Sequence, residues 1–280
     1  MARIDVMKTY KLFIGGKFPR SESGRVYELN DSKGKFLANP CLASRKDLRD
    51  AVVAARSALS GWSSATAYNR GQILYRAAEI MQGRREQFVS ELVAQEGLTP
   101  KAAGDQVDQA IDLWVWYAGW SDKLTVLGGN ENPVSGSFYN FTTPEPLGVI
   151  GAFPDGKPSL LNLVASIASI IVSGNTAVVV ASEKFPLTAI SLAEVLATSD
   201  LPGGVVNILT GKSAELNSWM ASHMEVDGLD ASGLSSKQLT EAKIAGAENL
   251  KRIQSFDSAA SPQRILAFME SKTIWQSVGI

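Results

Sequence analysis

Few residues in this chain have the type and spacing that chemistry demands. There is one cysteine, Cys41, and one histidine, His223. A zinc site built on Cys and His needs several such ligands, so that class is excluded. Cys41 sits in Asn39-Pro40-Cys41 and reads as a structural or surface thiol, and His223 reads as a helix-end or loop residue. Thr210-Gly211-Lys212-Ser213 has the close of a phosphate-binding loop, but the required first glycine falls on Val206, so the spacing fails. A Gly-x-Gly-x-x-Gly fingerprint does not occur. Asp105 and Asp108 fit a solvated helix face better than an acid/base pair. Trp114, Trp116, Tyr117 and Trp120 read as core and domain contacts, because no basic patch accompanies them as a base-stacking platform would need.

The elements that would position any site are clearer. From Pro158 to Ser182 the chain carries no charged residue. Val149–Phe153 reads as a buried strand, Leu160–Val172 as a helix, and Thr176–Ala181, rich in Val, as a second buried strand. Ser173-Gly174-Asn175 is the turn between them. Strand, helix, turn and strand make a βαβ unit, the repeat of a Rossmann-like parallel sheet. A membrane span is excluded because Asn162, the serines and the Gly174-Asn175 turn interrupt the apolar run.

The same stretch resembles the cofactor-domain core of the aldehyde dehydrogenase superfamily. Pro144–Gly151 looks like the strand entering that family's active-site loop, and Ser173–Thr176 with Ser182-Glu183 looks like its second cofactor strand. Leu201-Pro202-Gly203-Gly204-Val205-Val206-Asn207 to Gly211 is the most specific match. Phe13-Ile14-Gly15-Gly16-Lys17 matches the opening hairpin, Asp47 to Trp62 the first amphipathic helix, and Arg70 with Leu74 the next. The likeness runs from about Tyr10 to Ile253. It implies an α/β fold with helices on both faces of a parallel sheet, an N-terminal helical region and a small β oligomerisation arm. The expected division is 1–127 and 147–255 as an NAD-binding-type domain, with 128–146 and 262–280 as the arm.

The resemblance also implies a chemistry that these residues do not supply. It calls for a cysteine thiolate attacking an aldehyde, and Cys41 lies far upstream of that position. Gly156 stands where the family places an Asn donor to the oxyanion, and glycine has no such side chain. Phe256 stands where the family places a general-base Glu, with Asp257 one residue off. No catalytic residue is therefore assigned. At the cofactor, Val180 replaces a ribose-binding Lys while Glu183 is kept. In Ala231–Lys237 the turn glycine Gly233 survives and Leu234 replaces the serine after it. A glycine turn at a helix N-terminus can take a phosphate, and Lys237 adds charge. Glu183, Gly233 and Lys237 are thus the candidate remnants of a weak NAD(P) site, the alternative being no cofactor at all.

Composition narrows the partners. The chain has 280 residues, 27 basic against 28 acidic, and a net charge of −1. That balance argues against nucleic acid or an anionic membrane. Met1 to Lys17 lacks the apolar segment of a signal peptide, and a lone cysteine suits a reducing cytoplasm. Arg264 to Trp275 resembles the C-terminal strand of the family, as though the catalytic lobe between were missing. That strand, with Gly136–Thr142, implies an arm that pairs with another subunit. An exposed arm carrying Phe268, Ile274 and Trp275 calls for a cover. The expected cover is a full-length aldehyde dehydrogenase in a hetero-oligomer, the alternative a homodimer through the arm strands. Three functions follow: an inactive subunit that supports or regulates its partner, a nucleotide-binding sensor, or a residual oxidoreductase.

Overall fold

In the computed structural model, residues 7–257 and 259–279 are described. Residues 1–6 and 280 of the expected domain ranges, and Ser258 beside the base position, lie outside the described residues. After a short hairpin of β1 (Leu29–Asn30) and β2 (Phe36–Ala38) come the helices α1 (Arg45–Ser63), α2 (Ala67–Gly83), α3 (Arg85–Glu96), α4 (Pro100–Ala118) and α5 (Leu124–Gly128). Then follow β3 (Asn130–Glu131), β4 (Phe138–Pro146), β5 (Val149–Ala152), α6 (Ser159–Val172), β6 (Thr176–Val180), α7 (Leu187–Ala197), β7 (Val206–Leu209), α8 (Ser213–Ser222), β8 (Gly228–Asp230), α9 (Ser236–Ala247) and β9 (Arg252–Gln254). A short helix α10 (Pro262–Leu266) leads into β10 (Met269–Ser277).

The expected βαβ unit is present as β5, α6 and β6. The five strands pair in the order β7-β6-β5-β8-β9, all parallel. Alternation along each strand divides its side chains between two cores. Ala177 and Val179 face a core with α6, α7, α4 and α2, while Val178 and Val180 face a second core with α1 and α8. Helices therefore cover both faces, as the run of apolar β-branched residues requires. The outer edge of β7 is met by the N-terminal segment, where Phe13 exchanges hydrogen bonds with Ile208 at 2.9 and 2.8 Å. That segment turns back at Gly15-Gly16, both at positive φ, with Ile14 and Lys17 bonded across the turn.

The second sheet is antiparallel, in the order β10-β4-β3, and its register runs from Met269 opposite Pro146 to Ser277 opposite Phe138. The arm strand expected within Gly136–Thr142 runs from Phe138 on to Pro146, and β10 pairs along its whole length. Arg264–Leu266, expected as strand, form a helical turn instead. Pro262 in its first turn and Ser261, whose Oγ accepts from the Gln263 N–H, nucleate that turn. Phe268 is buried, contrary to expectation, while Ile274 is half-buried and Trp275 exposed. Asn175 ties the two sheets together. Its Oδ1 accepts from Gly148 N and its Nδ2 donates to Phe268 O, both at 2.7 Å.

The tryptophan cluster is core, as read: Trp114 and Tyr117 are fully buried, and Trp116 packs edge-on against Tyr117. Trp62 is buried too, and its Nε1 donates to Ile171 O at 2.8 Å. Trp62→Phe keeps most of the packing and strands that carbonyl at the end of α6. The expected cost is about 1–3 kcal/mol, read as a lower urea midpoint with an unchanged slope.

Candidate functional site

A parallel sheet presents its ligand crevice beyond the carboxyl ends of the strands, where the strand order reverses. Here the chain moves outward from β5 to β6 and β7, then returns to β8 on the other side of β5. The crevice therefore lies over the ends of β5 and β8. Two loops rise from those ends, Phe153–Pro158 and Ala231–Ser235, and both bear on the candidates.

The two loops are pressed together. Gly233 N donates to Phe153 O at 2.6 Å, and Phe153 N donates to Asp230 O at 2.8 Å. A Cβ on Gly233 would stand 2.3 Å from the carbonyl oxygen of Pro154. Glycine is required at this position by the close approach of backbone, and its amide is already engaged. The N-terminus of α9 is closed by its own residues. Ser235 Oγ accepts from Gln238 N, and the Gln238 side chain accepts from Ser235 N. Leu234 packs against the core shared with α1 and α8, and Val180 is buried in it. Lys237 is exposed, with no ion-pair partner among the described residues. Glu183 is exposed beyond β6. Burial pushes the Tyr27 phenol above its ordinary pKa, and Glu183 and then Cys41 push in the same direction. No hydrogen bond or ion pair joins Glu183, Gly233 and Lys237 among the described residues.

The crevice instead holds a group of residues of which the sequence singled out only Phe256. Asp230, the last residue of β8, is buried. Its Oδ2 accepts from Ser166 Oγ at 2.7 Å and from Arg264 Nη2 at 2.9 Å. Its Oδ1 accepts from Ser232 N at 3.1 Å and Ser232 Oγ at 2.5 Å. Arg264 comes from α10, and its side chain is 4% exposed. Phe256 lies against the guanidinium, with the ring centroid 4.5 Å from Arg264 Cζ, and packs edge-on against Phe268. Phe256 N donates to Ser232 Oγ at 3.0 Å. One signal was visible in the sequence: Asp230 is a charge closing an otherwise apolar strand.

A cavity of about 200 Å³ remains beside this cluster. Its walls include Asn162, Ser166, Ser232, Asp257 and Arg264. Gly156 is on the neighbouring loop, its Cα facing Ser182. Cys41 is not among the residues that line the cavity. The thiol is buried, and the Cys41 carbonyl accepts from Thr210 Oγ1 at 2.6 Å, so the residue is structural. Asp108 forms a two-bond pair with Arg85 on exposed helix surface, which holds its carboxyl below the ordinary range. His223 caps the end of α8. Among the described residues there is no cluster that could hold a metal ion, and no helix is long and apolar enough to cross a membrane.

The buried pair is a stability element with a testable signature. Arg264→Leu leaves Asp230 buried without its cation and is expected to cost about 3–5 kcal/mol. The double variant Arg264→Leu/Asp230→Ala removes both charges and should recover part of that loss in urea unfolding. Equal losses in the single and double variants would contradict the pairing.

Comparison with known proteins agrees with this architecture. The family described as "Aldehyde dehydrogenase family" matches residues 18–273. Human retinal dehydrogenase 2 is 32% identical over 267 residues, which covers 93% of this chain and 51% of that protein. An aldehyde dehydrogenase of Aspergillus niger is 29% identical over 273 residues, covering 96% of this chain and 54% of its own length. The NAD+ complex structure of an aldehyde dehydrogenase from Bacillus cereus superposes with a TM-score of 0.82 at 26% identity, over 88% of this chain and 50% of that one. The chain thus spans about half the length of the relatives it matches. Matched along nearly its whole length, it belongs to the aldehyde dehydrogenase family.

Proposed function

We propose that this chain is a non-catalytic member of the family that assembles with a full-length NAD(P)-dependent aldehyde dehydrogenase and supports or regulates it. The observation that carries the reading is the cluster of Phe256, Arg264 and Asp230. The residue at the position of the general base is an aromatic ring stacked on a buried ion pair. The ring accepts no proton, and the neighbouring Asp257 lies one residue off in the cavity wall. Only Ser255 to Phe268 separates β9 from β10, so no catalytic lobe fits between them.

In this reading residues 1–127 and 147–255 form the Rossmann-like domain, and 128–146 with 262–280 form the arm. The arm is the contact to the partner. The outer edge of β10 is unpaired within the sheet, and Phe138 and Trp275 are exposed and stacked edge-on with centroids 5.8 Å apart. A long edge strand with exposed aromatics is an aggregation hazard unless covered. A second subunit supplies that cover, and a cytoplasmic enzyme partner suits the lone buried thiol. The nucleotide-sensor reading ranks below this one, because the Gly233 amide is bonded to Phe153 and not open to a phosphate.

Two results test the proposal. The purified chain should give no NAD(P)H from a panel of aldehydes, and turnover abolished by replacing one of its own residues would overturn the reading. Mixed with a full-length aldehyde dehydrogenase from the same genome, it should co-elute and change that enzyme's kcat or KM. Trp275→Asp, on the exposed arm, should prevent co-elution while leaving the circular dichroism spectrum unchanged.

A further inference from the structure

We infer that Arg70 anchors a binding site for a small oxyanion, a phosphate or a carboxylate, in the cleft between the α1–α2 corner and the root of the antiparallel sheet. Arg70 is 8% exposed, and no carboxylate pairs with it among the described residues. Nε donates to Val172 O at 3.0 Å, and Nη1 donates to the carbonyls of Ser63 and Ala65. Those bonds use two of the three guanidinium nitrogens. Nη2 has no protein partner among the described residues. Burial without a counter-charge pulls the guanidinium below its ordinary pKa, the direction an anion would reverse.

The surroundings suit such a guest. Arg70 lines an open cleft of about 610 Å³ together with Ser60, Ser121 and Thr125. The hydroxyls of these three residues make no hydrogen bond among the described residues. Two carboxylates stand at the rim, and both are already neutralised. Asp122 is bonded to Lys123 at 2.6 Å and Glu145 to Lys272 at 2.9 Å. A guanidinium with one open nitrogen and neighbouring hydroxyl donors recognises an oxyanion through charge-assisted hydrogen bonds. This inference does not depend on the subunit role proposed above.

The test is thermal unfolding of the 280-residue chain in rising phosphate, and separately in rising succinate, with ionic strength held constant by sodium chloride. At least one of the two should raise Tm saturably, by about 2–3 °C at ten times its Kd. Which one does so separates a phosphate site from a carboxylate site. Thr125→Glu, which sets a fixed carboxylate on the cleft wall and leaves Arg70 with its carbonyl bonds, should abolish the rise. Arg70→Lys should weaken it at least tenfold in apparent Kd. No rise in wild type with either anion, or an undiminished rise in Thr125→Glu, would overturn the site.

Discussion

The structure depends on burying α6, a helix without a single charge, in the middle of the molecule. Its side chains need no help, because they face the sheet and the neighbouring helices. Its ends do, since a helix leaves N–H groups and carbonyls unpaired at its termini and water cannot reach them here. Other elements supply the partners. At the start, Glu96 at the end of α3 accepts from the backbone and hydroxyl of Ser159, and Gln106 of α4 accepts from Leu160 N at 3.0 Å. At the finish, Trp62 takes the Ile171 carbonyl and Arg70 the Val172 carbonyl. The four N-terminal helices are thereby fixed around α6 by hydrogen bonds as well as by apolar packing. The turn that follows carries Asn175, which links β5 to the antiparallel sheet.

The same economy of buried polar groups governs the crevice over β5 and β8. A carboxylate at the end of a central strand cannot stay buried alone. Asp230 therefore determines what stands above it: two serines and an arginine brought in by α10. Phe256 roofs the arginine, and Phe268 backs Phe256. The crevice that a parallel sheet offers to a ligand is filled in this chain by the segment that leads into β10. Filling the crevice and returning the last strand to β4 are consequences of one short connection.

Much of the fold is legible in the sequence because it is carried by local pattern. The uncharged run from Pro158 to Ser182 fixes α6 and β6 almost to the residue, the apolar Val149–Phe153 marks β5, and Gly15-Gly16 marks the hairpin against β7. Trp62 and Arg70 are visible as matches, but their bonds to the end of α6 span more than a hundred positions and leave no local trace. The crevice is less legible for the same reason. Asp230 and Arg264 are joined across the fold, and neither residue type announces the other. Gly233 is readable as a glycine that must be glycine. What demands it is the Phe153–Pro154 backbone, which a turn motif read alone cannot distinguish from a bound phosphate. The strand expected from Arg264 onward begins later because Ser261 and Pro262 start a helical turn first.

The central claim is that this member of the family works as a subunit of another enzyme. The most direct measurement is native mass spectrometry of the tagged chain isolated from its own host. The account predicts a stoichiometric complex whose mass includes a full-length aldehyde dehydrogenase. A monomer, or an assembly containing only copies of this chain, would contradict it.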